Sequence, residues 1–174
     1  SVVSYYSNYC ANAHRGDYSI SQKVDSMYEN VREKIKNFIH ANDSSEIVFT
    51  SGTTDGLNRI VFGYFRKKLV EGDEVLITES EHASNVLPWF SLAKEKGIFV
   101  KYIPLDSHHE VTISNVKKSI TSRTKVISLA YITNVIGDIR PMREIIDYAH
   151  QKGILVVGDG AQSISHLKMN VSLD

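Results

Sequence analysis

Short apolar runs alternate with amphipathic stretches along most of this chain, and no other feature limits its fold as much. Val24, Met27, Tyr28, Val31, Ile35, Phe38 and Ile39 recur at helical spacing and make one apolar face. That helix is expected to stop near His40, before the polar Asn42-Asp43-Ser44-Ser45 turn. Strands are expected at residues 46–50, 74–78, 98–103, 124–131 and 154–157, the first of them a buried Glu-Ile-Val-Phe-Thr run. Between them, Leu57, Ile60, Val61, Tyr64 and Phe65 mark one helix, and residues 84–96 a second, ended by Gly97. Residues 114–121 read as a short helix, and Pro141 suits the first position of another, whose apolar face is Met142, Ile145, Ile146 and Ala149. Strand and helix in alternation predict an α/β domain: a mostly parallel sheet flanked by helices on both faces.

Charge and cysteine content narrow the function classes. Lys plus Arg and Asp plus Glu both number 20, so no basic excess points to nucleic acid. No apolar run is long enough for a membrane span. The opening Ser-Val-Val-Ser-Tyr-Tyr has neither a charged start nor an apolar signal core. Cys10 is the single cysteine, so no disulfide framework forms within the chain, which suits a reducing compartment. It is expected to be a partly buried free thiol.

Ligands of open α/β sheets bind beyond the carboxyl ends of the strands, so the segments that follow the strands are where chemistry is expected. They are Ser51-Gly52-Thr53-Thr54, Glu79-Ser80-Glu81-His82-Ala83-Ser84-Asn85, Ile132-Thr133-Asn134-Val135-Ile136-Gly137 and Gly158-Asp159-Gly160-Ala161-Gln162-Ser163. Ser51 to Thr54 opens a helix, where free N–H groups and the helix dipole favour an anion, and the plainer reading is an ordinary Thr cap. The two commonest nucleotide loops, G-x-x-x-x-G-K-[ST] and G-x-G-x-x-G, are absent. Asp159 follows an apolar strand, where a carboxylate needs a partner: either a turn that it caps or a cationic ring nitrogen. His82 is either a polar loop residue or a group that stacks on a flat ring and moves protons. His108-His109-Glu110 reads as a solvated turn, since nothing completes a metal ligand set.

Five segments in register resemble the SufS-type cysteine desulfurases, pyridoxal-phosphate enzymes of the class V aminotransferase family. They are Ala11-Asn12-Ala13-His14-Arg15-Gly16, the stretch 46–58, the stretch 79–89 with its His82-Ala83-Ser84-Asn85 and Pro88-Trp89, Thr133-Asn134-Val135-Ile136-Gly137, and Asp159-Gly160-Ala161-Gln162-Ser163. The resemblance implies the large domain of a fold-type I pyridoxal-phosphate transferase over residues 46–174. It implies an N-terminal segment, residues 1–45, near the substrate mouth and a dimer interface. Gly52, Thr53 and Thr54 would hold the cofactor phosphate. His82 would stack on the ring and transfer protons, and Asp159 would pair with the ring nitrogen. Gln162 and Asn134 would lie by the phenolic oxygen, and His14, Arg15 and Asn134 near the substrate.

The implied reaction takes sulfur from L-cysteine, giving L-alanine and an enzyme persulfide for iron–sulfur cluster assembly. The expected setting is a homodimer in the cytoplasm or an organelle, with a sulfur-acceptor protein and neither nucleic acid nor membrane as partner. The lysine that joins family members to the cofactor lies in a Ser-Gly-His-Lys motif, which is not met by Asp174. The persulfide cysteine lies later still, and Cys10 does not match it. The segment therefore reads as a large-domain fragment that does not complete the reaction by itself. Two other readings stay open: another class V enzyme, such as a selenocysteine lyase or an aminotransferase, and a non-catalytic α/β domain binding a phosphate ligand or a partner.

Overall fold

Four of the five expected strands pair, all in parallel, into one sheet: β1 (Glu74–Ile77), β2 (Phe99–Tyr102), β3 (Thr124–Ala130) and β4 (Leu155–Asp159). The computed structural model describes residues 2–172. Strand order is β2-β1-β3-β4. The chain thus winds outward from β1 to β2, then returns past β1 to lay down β3 and β4. The direction reverses between β1 and β3, the place where open sheets of this kind leave a crevice.

Alternation along the strands sends side chains to opposite faces. Val75, Ile77, Val126 and Val157 join Leu57, Val61, Phe65, Trp89 and Leu92 in one buried cluster. Leu76, Ile127 and Leu129 join Ile103, Val116, Met142, Ile145 and Ala149 in another. Both faces of the sheet are therefore covered, as the apolar character of β1 and β3 requires.

One helix of the first cluster begins as α3 (Thr53–Asn58), runs on through a π-helical stretch (Arg59–Phe65) and closes with a turn at Arg66–Lys68. The other is α4 (Leu87–Lys96), ended by Gly97 in the left-handed conformation (φ 69°). The second cluster is covered by α5 (Ile113–Ser119) and α6 (Met142–Gln151). Pro141 stands one residue before α6, at its cap, instead of at its first helical position.

The expected strand at 46–50 does not form. Ser44–Glu46 is a 3-10 turn, and residues 47–50 take no part in the sheet. Ile47 is buried, but Val48 is 73% exposed. The Ile47 carbonyl accepts from Arg32 Nη1, and the Arg32 guanidinium also stacks on Phe49 and Tyr28. The β-branched run is thus satisfied by a helix side chain and not by a strand neighbour.

That segment belongs to a separate unit, which runs from the N-terminus through Phe49 and takes in the stretch from Met169. It holds α1 (Val2–Asn8), which no periodicity announced, and α2 (Ser19–Ile39). The α2 helix ends where expected, with His40 left-handed at its C-cap. Thr50–Lys168 forms the unit that contains the sheet. None of the described helices is long and apolar enough to cross a membrane.

Candidate active site

The segments that follow the strands converge, together with the start of α3, on one cavity of about 350 Å³. It lies at the carboxyl edge of the sheet, by the crevice between β1 and β3. Gly52, Thr53, Thr54, His82, Asn134, Asp159 and Gln162 all line it. His14 and Arg15 do not. They belong to the first unit, where His14 sits 3.8 Å from Asp25 and 3.6 Å from Glu29.

One wall is the start of α3. Gly52 has φ 154° and ψ 175°, a region closed to side chains, and a Cβ there would meet nothing within 4 Å. The glycine is thus needed for backbone shape and not for room. Ser51 N–H and Oγ both donate to Asp55 Oδ2 at 3.2 Å, and Arg59 Nε donates to Asp55 Oδ1 at 2.8 Å. The Ser51 N–H, then Arg59, hold the Asp55 carboxyl below the ordinary carboxylate range. This brace fixes the turn, and Thr53 and Thr54, at the helix start where N–H groups have no partner within the helix, both line the cavity.

The floor is Asp159, at the end of β4 and only 5% exposed. Its backbone carbonyl accepts from Tyr131 N–H, which ties the β4 end to the segment after β3. Its Oδ1 accepts from Ala161 N–H at 2.9 Å. Among the described residues no cation pairs with it. Gly158, one residue earlier, must lack a side chain, because a Cβ would run into the Tyr131 ring.

His82 rises on the opposite side as the cap of a 3-10 turn (Ala83–Asn85). Its Nδ1 accepts from Ser84 N–H at 3.2 Å and lies 2.7 Å from Ser84 Oγ. An N–H can only donate, so Nδ1 is unprotonated and the proton of the neutral ring sits on Nε2. Asn134 stands on a turn closed by Thr133, whose carbonyl accepts from Gly137 N–H and whose Oγ1 accepts from Asp138 N–H.

Behind these walls lies a feature that sequence reasoning missed. Glu81 and Arg140 form an ion pair with both side chains fully buried. Asp138 lies beside it, and burial pushes its carboxyl up, against the pull of Arg140. The signal was available: a lone arginine between Ile139 and Pro141-Met142 has no solvent-facing reason to be there.

His108 and His109 lie in an exposed turn braced by Asp106, as expected. No group of three possible metal ligands occurs among the described residues. Cys10 is exposed, not partly buried as expected, because it lies in an irregular stretch just after α1.

With the geometry in place, comparison with known proteins is specific. The class-V aminotransferase family profile matches residues 1–173. A probable cysteine desulfurase of Halalkalibacterium halodurans is 42% identical over 167 residues, which cover 96% of this chain and 41% of that protein. A cysteine desulfurase from Thermococcus onnurineus NA1, in its apo structure, superposes with a TM-score of 0.92 at 34% identity, over 98% of this chain and 42% of that one. The cysteine desulfurase CsdA of Escherichia coli superposes with a TM-score of 0.87 at 32% identity, over 98% of this chain and 43% of that one. The chain thus spans about two fifths of the length of each of these three proteins.

Proposed function

Because this chain belongs to the class-V aminotransferase family, we propose that it is the cofactor-holding part of a pyridoxal-phosphate-dependent cysteine desulfurase. One observation carries the reading: seven residues drawn from four separate segments line a single cavity whose floor is a buried carboxylate with no cation beside it among the described residues. The residues present suit the cofactor. A buried carboxylate with one N–H partner is poorly compensated, and a cationic ring nitrogen would complete it. A helix start with two hydroxyls suits a phosphate, and the cavity is of a size usual for a small cofactor. When bound, pyridoxal phosphate supplies an electron-withdrawing ring that can take up the electron pair left on the substrate α-carbon.

The remaining work falls to the chain itself. Gly52, Thr53 and Thr54 bind the phosphate. Asp159 holds the proton on the ring nitrogen. His82 covers one face of the ring and presents Nε2, the atom that its Ser84 contact leaves free to hold or pass a proton. Gln162 and Asn134 orient the ring through its phenolic oxygen. On the His82-Ala83-Ser84-Asn85 and Pro88-Trp89 stretch we assign the protein to the SufS-type branch. It would work as a homodimer in the cytoplasm and pass sulfur to iron–sulfur cluster assembly.

The test is to incubate the whole protein with L-cysteine and a reductant, and to measure alanine and sulfide. Both are expected, in equal amounts. A keto acid in place of alanine would make it an aminotransferase, and a colourless protein without cofactor by mass spectrometry would overturn the reading.

A further inference from the structure

We propose that the buried Glu81–Arg140 pair positions His82 and Asn134 against each other, and so sets the width and alignment of the cofactor site. The inference rests on the reading above for what occupies the site. Its geometry stands independently.

Stability alone does not explain this pair. Removing two charges from water costs several kcal/mol for each ion, and an apolar pair of similar volume is often as stable. What the ions provide is direction. Arg140 donates to Glu81, to Thr78 Oγ1 at 2.9 Å and to Ser80 Oγ at 2.8 Å. Glu81 Oε1 also accepts from Thr78 Oγ1, and its Oε2 accepts from Asn85 Nδ2 and from Ala130 N–H, each at 2.8 Å. Asn85 Oδ1 in turn accepts from Ser128 Oγ at 2.6 Å.

These bonds tie together elements that the sheet hydrogen bonds leave separate. Glu81 directly precedes His82, and Asn85 closes the turn that His82 caps, so His82 is anchored to β3 on both sides. Arg140 stands at the base of the loop bearing Asn134. Its own N–H donates to the Tyr131 carbonyl at 3.0 Å, and Ile132 and Ile139 bridge just above. Glu81 thus holds the His82 segment to β3 through Ala130 N–H, and the same carboxylate holds the base of the Asn134 loop through Arg140.

The test uses the whole protein loaded with pyridoxal phosphate. Arg140→Lys keeps the charge but loses the planar fork, Ser128→Ala removes only the outermost bond, and Ile145→Ala in the opposite core is the control for lost stability. Arg140→Lys is expected to lower kcat about 10- to 100-fold with KM for cysteine changed less than threefold, as misplaced site groups do. The visible circular dichroism of the bound cofactor should fall by more than half. Ser128→Ala should show the same pattern, weaker, and Ile145→Ala neither effect.

A second readout needs no cofactor. In the cofactor-free protein, 15N shifts of labelled His82 should report a fixed Nε2–H tautomer, which becomes averaged in Arg140→Lys. If Arg140→Lys behaves like Ile145→Ala in these readouts, or leaves the His82 tautomer fixed, the proposal is overturned. A wild-type protein that binds no cofactor would instead refute the functional reading, and the His82 shifts would still decide this one.

Discussion

Replacing Asp159 with Asn separates charge from shape at the floor of the site, and its two consequences have opposite signs. The amide oxygen of Asn can still accept from Ala161 N–H, so the local turn is kept. What disappears is a negative charge that is 5% exposed and has no cation beside it among the described residues. In the cofactor-free protein that charge is a cost, so Asp159→Asn should unfold at the same temperature as the wild type or a higher one. With cofactor the order reverses. Hydrogen bonds to charged groups contribute about 1.5–3 kcal/mol, and a tenfold change in affinity is about 1.4 kcal/mol. Asp159→Asn should therefore hold pyridoxal phosphate roughly 10- to 150-fold more weakly. Thermal unfolding with and without cofactor, together with a titration followed by absorbance, reads both effects. A variant that is destabilised without cofactor, yet binds it as the wild type does, would refute the assignment of Asp159 as an uncompensated charge awaiting a cation.

Other predictions test the frame. Gly52→Ala should cost about 1–3 kcal/mol in urea unfolding, all of it conformational, since its Cβ would meet nothing. Trp89 is fully buried with no partner for its Nε1, so Trp89→Ala should cost about 3–5 kcal/mol and Trp89→Phe, which leaves a smaller cavity and removes the unpaired Nε1, clearly less, both followed by far-ultraviolet circular dichroism. Burial works against the charge of Glu74, yet hydrogen bonds from Lys101, Thr121 and Thr124 outweigh it and lower its carboxyl below the ordinary 4.5. The stability it contributes is present above that value and is lost as pH falls through its folded-state value. The gap in unfolding free energy between wild type and Glu74→Gln should therefore be widest near neutrality and close on acidification. A gap independent of pH would contradict this.

The sheet and its flanking helices were legible because β1 and β3 are apolar on both faces and the helices carry clear stripes with glycine stops, as at Gly97. The 46–50 segment misled because its continuous apolar run Ile47, Val48 and Phe49 is that of a buried strand, while the partner that decides its fate, Arg32, lies on the α2 helix. The cavity residues were found as members of loops that share a sheet edge. The Glu81–Arg140 pair was not: the apolar neighbours of Arg140 mark it as buried, but its partner lies 59 residues away and no local pattern points to it. The π-helical stretch 59–65 was read as ordinary helix because its apolar spacing fits either winding.

The strand order also constrains when the site can come into being. Glu74 of β1 lies opposite Thr124 of β3, and among the described residues β4 pairs only with β3. No cavity exists until the chain has closed a loop of fifty residues and then added its outermost strand. Non-local parallel pairing of this kind is slow to form. Cofactor capture should thus be among the last events of folding, later than the recovery of helical signal. A nascent or misassembled chain would be colourless while already rich in secondary structure, which makes the cofactor absorbance a reporter of finished topology rather than of compaction.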